Sequence, residues 1–155
     1  MDPYHGIMFE GRSDEEAYEE TFRETIENIK AIEDFDVLGH LDYVVRYGKE
    51  KAVHYSYSQF ASSIDEILRV LIEKGKGIEI NTSGYKYGLG FCHPQPIIIK
   101  RYKELGGEII TIGSDAHKPE HIAYDFYKVS DILKDCGFKY FTEFKERLPI
   151  FKQLK

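Results

Sequence analysis

The sequence predicts an α/β protein in which mainly parallel strands alternate with helices, as part of a (β/α) barrel. Segments with helical hydrophobic spacing alternate with short apolar runs, which is the pattern of successive βα units. Three of the apolar runs end in polar clusters, as strands do at the functional edge of such folds. Only about four units fit in the chain, whereas a complete barrel takes roughly 200 residues or more. The predicted fold is therefore a partial barrel.

Four helices are predicted from hydrophobic spacing and from the residues that start and stop them. The first begins with a capping box, Ser13 to Glu16, followed by apolar residues at helical intervals. The second stops at Gly75 and Gly77, because glycine accommodates the turn that ends a helix. The predicted ranges are residues 14–33, 58–74, 94–106 and 119–135.

Four strands are predicted between these helices, at residues 35–40, 77–81, 108–113 and 139–142. Polar clusters follow or end the first three strands, at residues 39–42, 79–83 and 114–117. Since parallel strands end at the same edge of a sheet, these clusters are expected to meet. Their convergence is the main functional signal in the sequence.

Composition limits the size, location and partners of the protein. The 155 residues, 42% of them hydrophobic, can build one sizeable core, so residues 1–155 are predicted to form a single domain. A net charge of −6 argues against a nucleic-acid partner, and no apolar run is long enough to predict a membrane partner. Two cysteines, Cys92 and Cys136, are too few for a disulfide framework, and the start lacks the features of a secretory signal. A cytoplasmic location is expected.

The candidate chemistry lies in the first and third clusters. On a strand, residues two apart point to the same face, so Asp115 and His117 can face one volume, and so can His40 and Asp42. Imidazole and carboxylate ligands suit Zn, Fe or Mn, and paired metals can clamp the oxygens of a phosphate ester. Two alternatives stay open: Asp115 or Ser114 caps the next helix, or His40 is only a hydrogen-bonded residue at a strand end.

Other residues near these strand ends are candidates for binding or for support. Arg46 can grip a phosphate, or it can form a surface ion pair. Asn81 and Ser83 can hydrogen-bond a substrate, or they can form a turn. The remaining histidines are expected at the surface or behind the ligands (His5, His54, His93) or in solvent (His121).

Three separated segments carry a resemblance to a known family: FDVLGHLDYVVRYG, EINTSGYKYG and GGEIITIGSDAHKPEHIAYDF. Together they resemble the polymerase-and-histidinol-phosphatase (PHP) superfamily, in particular its histidinol-phosphatase branch. The resemblance spans nearly the whole chain from DPYHGIMFEGRSDEEAY onward. It implies a distorted seven-stranded (β/α) barrel with up to three zinc, iron or manganese ions. It also implies hydrolysis of L-histidinol phosphate to L-histidinol and phosphate, in histidine biosynthesis.

The resemblance also implies roles for individual residues. His40, from the GH motif, and Asp115 and His117, from the SDAH motif, each match a family metal ligand and so form the predicted catalytic set. Arg46 matches a position that contacts phosphate. The family's first half, with its HxH motif and bridging glutamate, has no counterpart here, so the chain is expected to correspond to the carboxyl-terminal part of the family's domain.

Two expectations follow from this partial match. Three ligands divided among three ions leave each ion with about one protein ligand, below the three or four of a stable zinc site, so weak metal binding and low turnover are expected. An exposed barrel edge is expected to favour a homo-oligomer. The competing functions are a PHP phosphoesterase with another substrate and a non-catalytic remnant or binding module.

Overall fold

A computed structural model describes residues 6–155; His5 lies outside this range. Its central sheet has three strands in the order β1 (Val37–Leu38), β2 (Gly77–Asn81) and β3 (Ile110–Gly113). Both strand pairs are parallel, Leu38 lying opposite Ile78 and Ile80 opposite Ile112. The predicted α/β class with a parallel sheet is confirmed, and the carboxyl ends of the three strands lie at one edge.

Helices alternate with these strands along the chain. They are α1 (Asp14–Ala31), α2 (Ala61–Glu73), α3 (Ser83–Lys86), α4 (Pro96–Glu104) and α5 (Val129–Asp135). The predicted capping box is confirmed at the start of α1, where the Glu16 N–H donates to Ser13 Oγ and the Ser13 N–H donates to Glu16 Oε2. No helix in residues 6–155 is long and apolar enough to cross a membrane.

The core lies between the sheet and the helices, and β2 is its centre. Ile78 and Ile80 are fully buried against apolar residues of the helices, among them Ile64 and Leu68 of α2. Because successive side chains of a strand point to opposite faces, Glu79 and Asn81 project from the other face of β2. The packing of one face thus directs two polar side chains toward the predicted functional edge.

The first predicted strand and the last predicted helix are shorter than expected. β1 contains only two residues, because His40 adopts a left-handed conformation, with φ of 27°, that ends the extended run. The predicted helix over residues 119–135 is wrong in its first half: Ala123 and Asp125 have φ of 56° and 54°, which an α-helix does not accommodate. Only the α5 segment of that range is an α-helix.

The carboxyl-terminal part forms a hairpin that the sequence analysis missed. β4 (Tyr140–Lys145) pairs antiparallel with β5 (Leu148–Gln153), separately from the parallel sheet. The turn residues, Glu146 and Arg147, both have positive φ, which suits a two-residue hairpin turn. The Ile110 N–H donates to Thr142 Oγ1 over 3.2 Å, so the hairpin is attached to β3 by a side-chain contact.

Candidate active site

His40 follows β1 at the edge where the parallel strands end. Its backbone N–H donates to Glu79 Oε2 over 3.1 Å, which anchors the left-handed turn to β2. Its ring packs beside Tyr43, and Nδ1 is buried without a hydrogen-bond partner in the structure. Burial disfavours the imidazolium and lowers the pKa of His40 below 6.5, although Glu79 and Asp115 oppose this shift. His40 is therefore held in the neutral form that binds metal ions.

The predicted pairing of His40 with Asp42 is wrong. Asp42 is fully buried and accepts hydrogen bonds from Tyr55 Oη (3.0 Å), the Gln95 N–H (3.0 Å) and His93 Nδ1 (2.6 Å). The period-two argument failed because the chain is no longer extended at His40. Asp42 instead fixes the loop that carries His40 and Arg46, and His93 lies in the interior rather than at the surface.

Asp115 and His117 do meet at the end of β3. His117 Nε2 lies 3.2 Å from Asp115 Oδ1, and Arg46 Nη1 donates to Asp115 Oδ2 over 2.9 Å. Burial raises the pKa of the Asp115 carboxyl, but the hydrogen bond and charge of Arg46 outweigh it, so this pKa lies below 3.8. The following helical turn has no side-chain cap, which excludes Asp115 and Ser114 as the caps of that turn.

Arg46 is a buried cation rather than a member of a surface ion pair. Its side chain is only 7% exposed and lies 4.4 Å from the ring centroid of Tyr87 and 5.0 Å from that of Tyr47. The guanidinium also donates from Nη1 to Ser83 Oγ over 3.2 Å, while Nε is buried without a partner. Stacking between aromatic rings orders the guanidinium at the opening of the site.

Asn81 and Ser83 form a support beneath Arg46. Asn81 Nδ2 donates to Glu79 Oε2 over 2.9 Å, and Asn81 Oδ1 accepts from the Ser83 N–H over 3.0 Å. Gly113 makes room for this arrangement, because a Cβ there would lie 1.9 Å from Glu79 Oε1. Asn81 stabilises the turn, as one of the two interpretations predicted, and Ser83 contacts Arg46; substrate binding by either residue stays a prediction.

A cleft of about 580 Å³ opens beside Arg46. Its lining is rich in cationic and aromatic side chains: Arg46, Tyr47, Lys86, Tyr87, His117, Lys118 and His121. Lys86 Nζ donates to the backbone oxygen of Asp115 over 3.1 Å. Lys86 and Tyr87 were not predicted, although their place directly after the EINTSG segment was a usable signal, and His121 lines the cleft although it was expected in solvent. A positive cleft in an acidic protein suits a small anion.

Three side chains at this edge could serve as part of the ligand set of a metal ion. His40, Asp115 and His117 offer nitrogen and oxygen donors suited to zinc, and the buried Nδ1 of His40 has a lone pair or proton that no group in residues 6–155 engages. Within that range, no three His, Cys, Asp or Glu side chains lie close enough to surround one ion. The residues therefore fit a metal ion as partial ligands, and full coordination requires further donors such as water or phosphate.

A family model described as "PHP domain" matches residues 2–83 of the chain. This match covers more than half of the sequence, including the His40 and Arg46 loop and the Asn81–Ser83 segment. The chain belongs to the PHP domain family. The resemblance found in the motifs is thereby confirmed.

Similar proteins are named as histidinol-phosphatases. The chain is 30% identical over 139 residues to the "Probable histidinol-phosphatase" of Clostridium acetobutylicum, covering 90% of this chain and 54% of that protein. It is 36% identical over 119 residues to the one of Thermotoga maritima, covering 76% of this chain and 48% of that protein. The chain thus spans about half the length of the curated relatives it matches.

A solved structure resembles the fold closely. It is the crystal structure of histidinol phosphate phosphatase from Lactococcus lactis, complexed with zinc, L-histidinol and phosphate. The TM-score is 0.78 at 28% sequence identity, covering 93% of this chain and 54% of that one. The similarity therefore extends over nearly all of the present chain and about half of the zinc-bound enzyme.

Proposed function

We propose that the chain is a metal-dependent phosphomonoester hydrolase of the histidinol-phosphatase type, acting on L-histidinol phosphate to give L-histidinol and phosphate. One observation carries the proposal: Arg46, Asp115 and His117 make a connected cluster beside a positively lined cleft. The match to an enzyme solved with zinc, L-histidinol and phosphate supports the choice of substrate.

Each predicted site residue has a role in this proposal. His40, Asp115 and His117 hold divalent metal ions, with zinc, iron and manganese all compatible with nitrogen and oxygen ligands. A metal ion in such a site supplies Lewis-acid catalysis and lowers the pKa of water. Arg46, which lines the cleft, binds the phosphate oxygens through its guanidinium.

Asn81 and Ser83, predicted to bind substrate, are 1% and 0% exposed. Their polar atoms are bonded to Glu79, Arg46 and each other. We therefore propose that they act on the substrate through Arg46, by holding its guanidinium at the cleft, rather than by contacts of their own.

The activity test is release of inorganic phosphate from L-histidinol phosphate in the presence of Zn²⁺ or Mn²⁺. Phosphate release that Asp115→Asn abolishes supports the proposal. Asp125→Asn is the matched control, because Asp125 also has a left-handed backbone but pairs with Lys128 outside the cleft lining, so it should retain the wild-type rate. Hydrolysis of other phosphomonoesters in preference to L-histidinol phosphate would instead support a PHP phosphoesterase with another substrate.

A non-catalytic remnant or binding module is the second candidate function. The small set of metal ligands within residues 6–155 favours it, since weak metal binding would give little turnover. The test is to add the amino-terminal half of a relative to a chain that binds metal weakly and releases no phosphate. If phosphate is then released, the added half supplies further metal ligands in trans. That outcome would place the activity in the assembled pair.

Further proposals concern the whole chain. We propose that residues 1–155 form a single PHP-type domain corresponding to part of a distorted (β/α) barrel. The edge of β1 that faces away from β2 has no paired strand among the described strands, so it is the proposed contact for a homo-oligomer. Light scattering tests this, and a monodisperse monomer would contradict it. The cytoplasmic location stays a prediction from cysteine content.

A further inference from the structure

A hydrogen bond joins Arg46, the candidate phosphate-binding residue, to Asp115, a candidate metal ligand. Arg46 Nη1 donates to Asp115 Oδ2 over 2.9 Å and to Ser83 Oγ over 3.2 Å. Both side chains are largely withdrawn from solvent, 7% exposed for Arg46 and 17% for Asp115. Such a pair interacts more strongly than a surface ion pair. A change in the charge or the partners of Asp115 therefore changes the interaction that holds Arg46.

Each oxygen of the Asp115 carboxylate has one partner in this arrangement. Oδ2 accepts from Arg46, and Oδ1 lies 3.2 Å from His117 Nε2. A divalent cation on this carboxylate would neutralise part of its charge and repel the guanidinium nearby. Both effects weaken the bond between Arg46 and Asp115.

Arg46 has a position available when that bond weakens. Its guanidinium stacks on Tyr87 and Tyr47, which keep it at the cleft wall without the help of Asp115. The cleft that it lines is otherwise surrounded by Lys86, Lys118 and two histidines, an environment for an anion. An anion bound in the cleft would therefore be within reach of the guanidinium as an alternative partner.

We propose that Asp115 exchanges Arg46 for a divalent cation, so that metal binding releases the arginine to bind phosphate. The proposal rests on the proposed function for the place of metal and phosphate, but not on turnover. It makes Arg46 a competitor of the metal ion for Asp115 until phosphate arrives. The opposite arrangement, in which Arg46 holds Asp115 ready for the metal, predicts the opposite effect of removing Arg46.

The test is the affinity for Zn²⁺ without phosphate, measured by isothermal titration calorimetry on the full chain. Arg46→Gln removes the competing cation and should tighten zinc binding by about fivefold or more, fivefold being the lower end of the usual range for coupling between two sites. Asp115→Asn should weaken zinc binding, which identifies the titrated site. Unchanged or weaker zinc binding by Arg46→Gln would overturn the proposal.

Lys86→Gln is the matched control for loss of charge. Lys86 also brings a positive charge to Asp115, but its Nζ contacts the backbone oxygen and leaves the carboxylate untouched. The exchange predicts a smaller gain in zinc affinity for Lys86→Gln than for Arg46→Gln. Equal gains would mean that only the general field of the cleft matters, and would overturn the proposal.

A measurement on the unaltered chain covers the case in which Arg46→Gln does not fold. In NMR spectra, saturating Zn²⁺ without phosphate should speed the hydrogen exchange of the Arg46 guanidinium protons, because the ion pair that protects them is broken. An unchanged exchange rate with zinc bound would overturn the exchange of partners. If no zinc binds at Asp115, both this proposal and the metal site are wrong; if zinc binds as described but no phosphate is released, only the proposed activity is wrong.

Discussion

At the scale of single residues, the site depends on the carboxylate of Glu79, which is not among the predicted site residues. Glu79 accepts hydrogen bonds from the His40 N–H and from Asn81 Nδ2, so it joins the first two strand ends. Gly113 on β3 leaves the space in which this carboxylate lies. The three strand ends thus meet around Glu79, and the side chains of the site are placed relative to it.

Replacing Gly113 by alanine should disturb the site through Glu79. The new Cβ would lie 1.9 Å from Glu79 Oε1, so the carboxylate must shift, and we expect the shift to break the hydrogen bonds that its Oε2 accepts from His40 and Asn81. The lost hydrogen bonds should lower the free energy of unfolding by about 2 kcal/mol, which urea denaturation measures. Gly39→Ala is the graded control, since its Cβ would lie 3.3 Å from Glu79 Oε2 and needs only a small shift. Equal losses for the two variants would contradict this explanation.

The buried Asp42–His93 pair should be essential for the loop that carries His40 and Arg46. Both side chains are 0% exposed, so His93→Ala leaves a buried carboxylate without that partner and should cost about 3–5 kcal/mol in free energy of unfolding. His93→Asn keeps a donor near the position of Nδ1 and should recover part of the loss. Chemical denaturation of both variants checks this; similar stabilities for alanine and asparagine would show that the hydrogen bond to Asp42 is unimportant.

Sequence reasoning identified which residues gather at the edge better than how each is oriented. His40, Asp115 and His117 were found because polar clusters follow apolar runs, and Arg46 because it lies in the loop after the first of these runs. The predicted orientation of Asp42 was wrong, because the prediction assumed strand periodicity whereas the backbone leaves the extended region at His40. A left-handed residue other than glycine has no strong signature in a single sequence.

At the scale of elements, long periodic segments were predictable and short irregular ones were not. α1 follows its capping box and apolar stripe, and β2 has the predicted bounds. The β4–β5 hairpin was missed because its turn is made by Glu146 and Arg147 instead of the usual glycine or asparagine. Arg147 also forms ion pairs with Asp34 and Asp36, which precede β1 and so lie outside the hairpin.

Asp65 connects α2 with α4 and should make stability depend on pH. It accepts hydrogen bonds from Arg101 Nη2 (2.8 Å) and Tyr57 Oη (2.7 Å). The bond from Arg101 is the largest cause that lowers the pKa of Asp65 below 3.8, against the effect of burial. A carboxyl whose pKa is lower in the folded state stabilises the fold above its unfolded-state pKa, and this contribution is lost as the pH falls through the folded-state value.

Asp65→Asn should therefore lower the free energy of unfolding at pH 7. Below about pH 4 the free energies of unfolding of the variant and of wild type should become more similar. Urea denaturation at pH 7 and pH 3 measures both. Asp131→Asn, an exposed position on α5, is the control and should follow the wild-type profile. A constant difference between Asp65→Asn and wild type at the two pH values would contradict the assigned role of this carboxylate.

At the scale of the whole molecule, the similarity to a known enzyme covers nearly all of this chain but only part of that enzyme. The chain aligns with about half of the zinc-bound phosphatase, at a TM-score of 0.78. This chain itself contains the buried arginine, the cationic cleft and three candidate metal ligands. The parallel sheet was predictable because βα alternation repeats along the sequence. The number of side chains that can bind one metal ion was not, because it depends on distances in the fold that the spacing of residues along the sequence does not determine.

The most direct test of the account is a crystal structure of the chain with Zn²⁺ and phosphate, with zinc located by anomalous scattering. The account predicts zinc about 2.0–2.2 Å from an Asp115 oxygen or from a ring nitrogen of His40 or His117, with phosphate against Arg46. Zinc and phosphate bound elsewhere, with these four side chains making no contact to either, would contradict it.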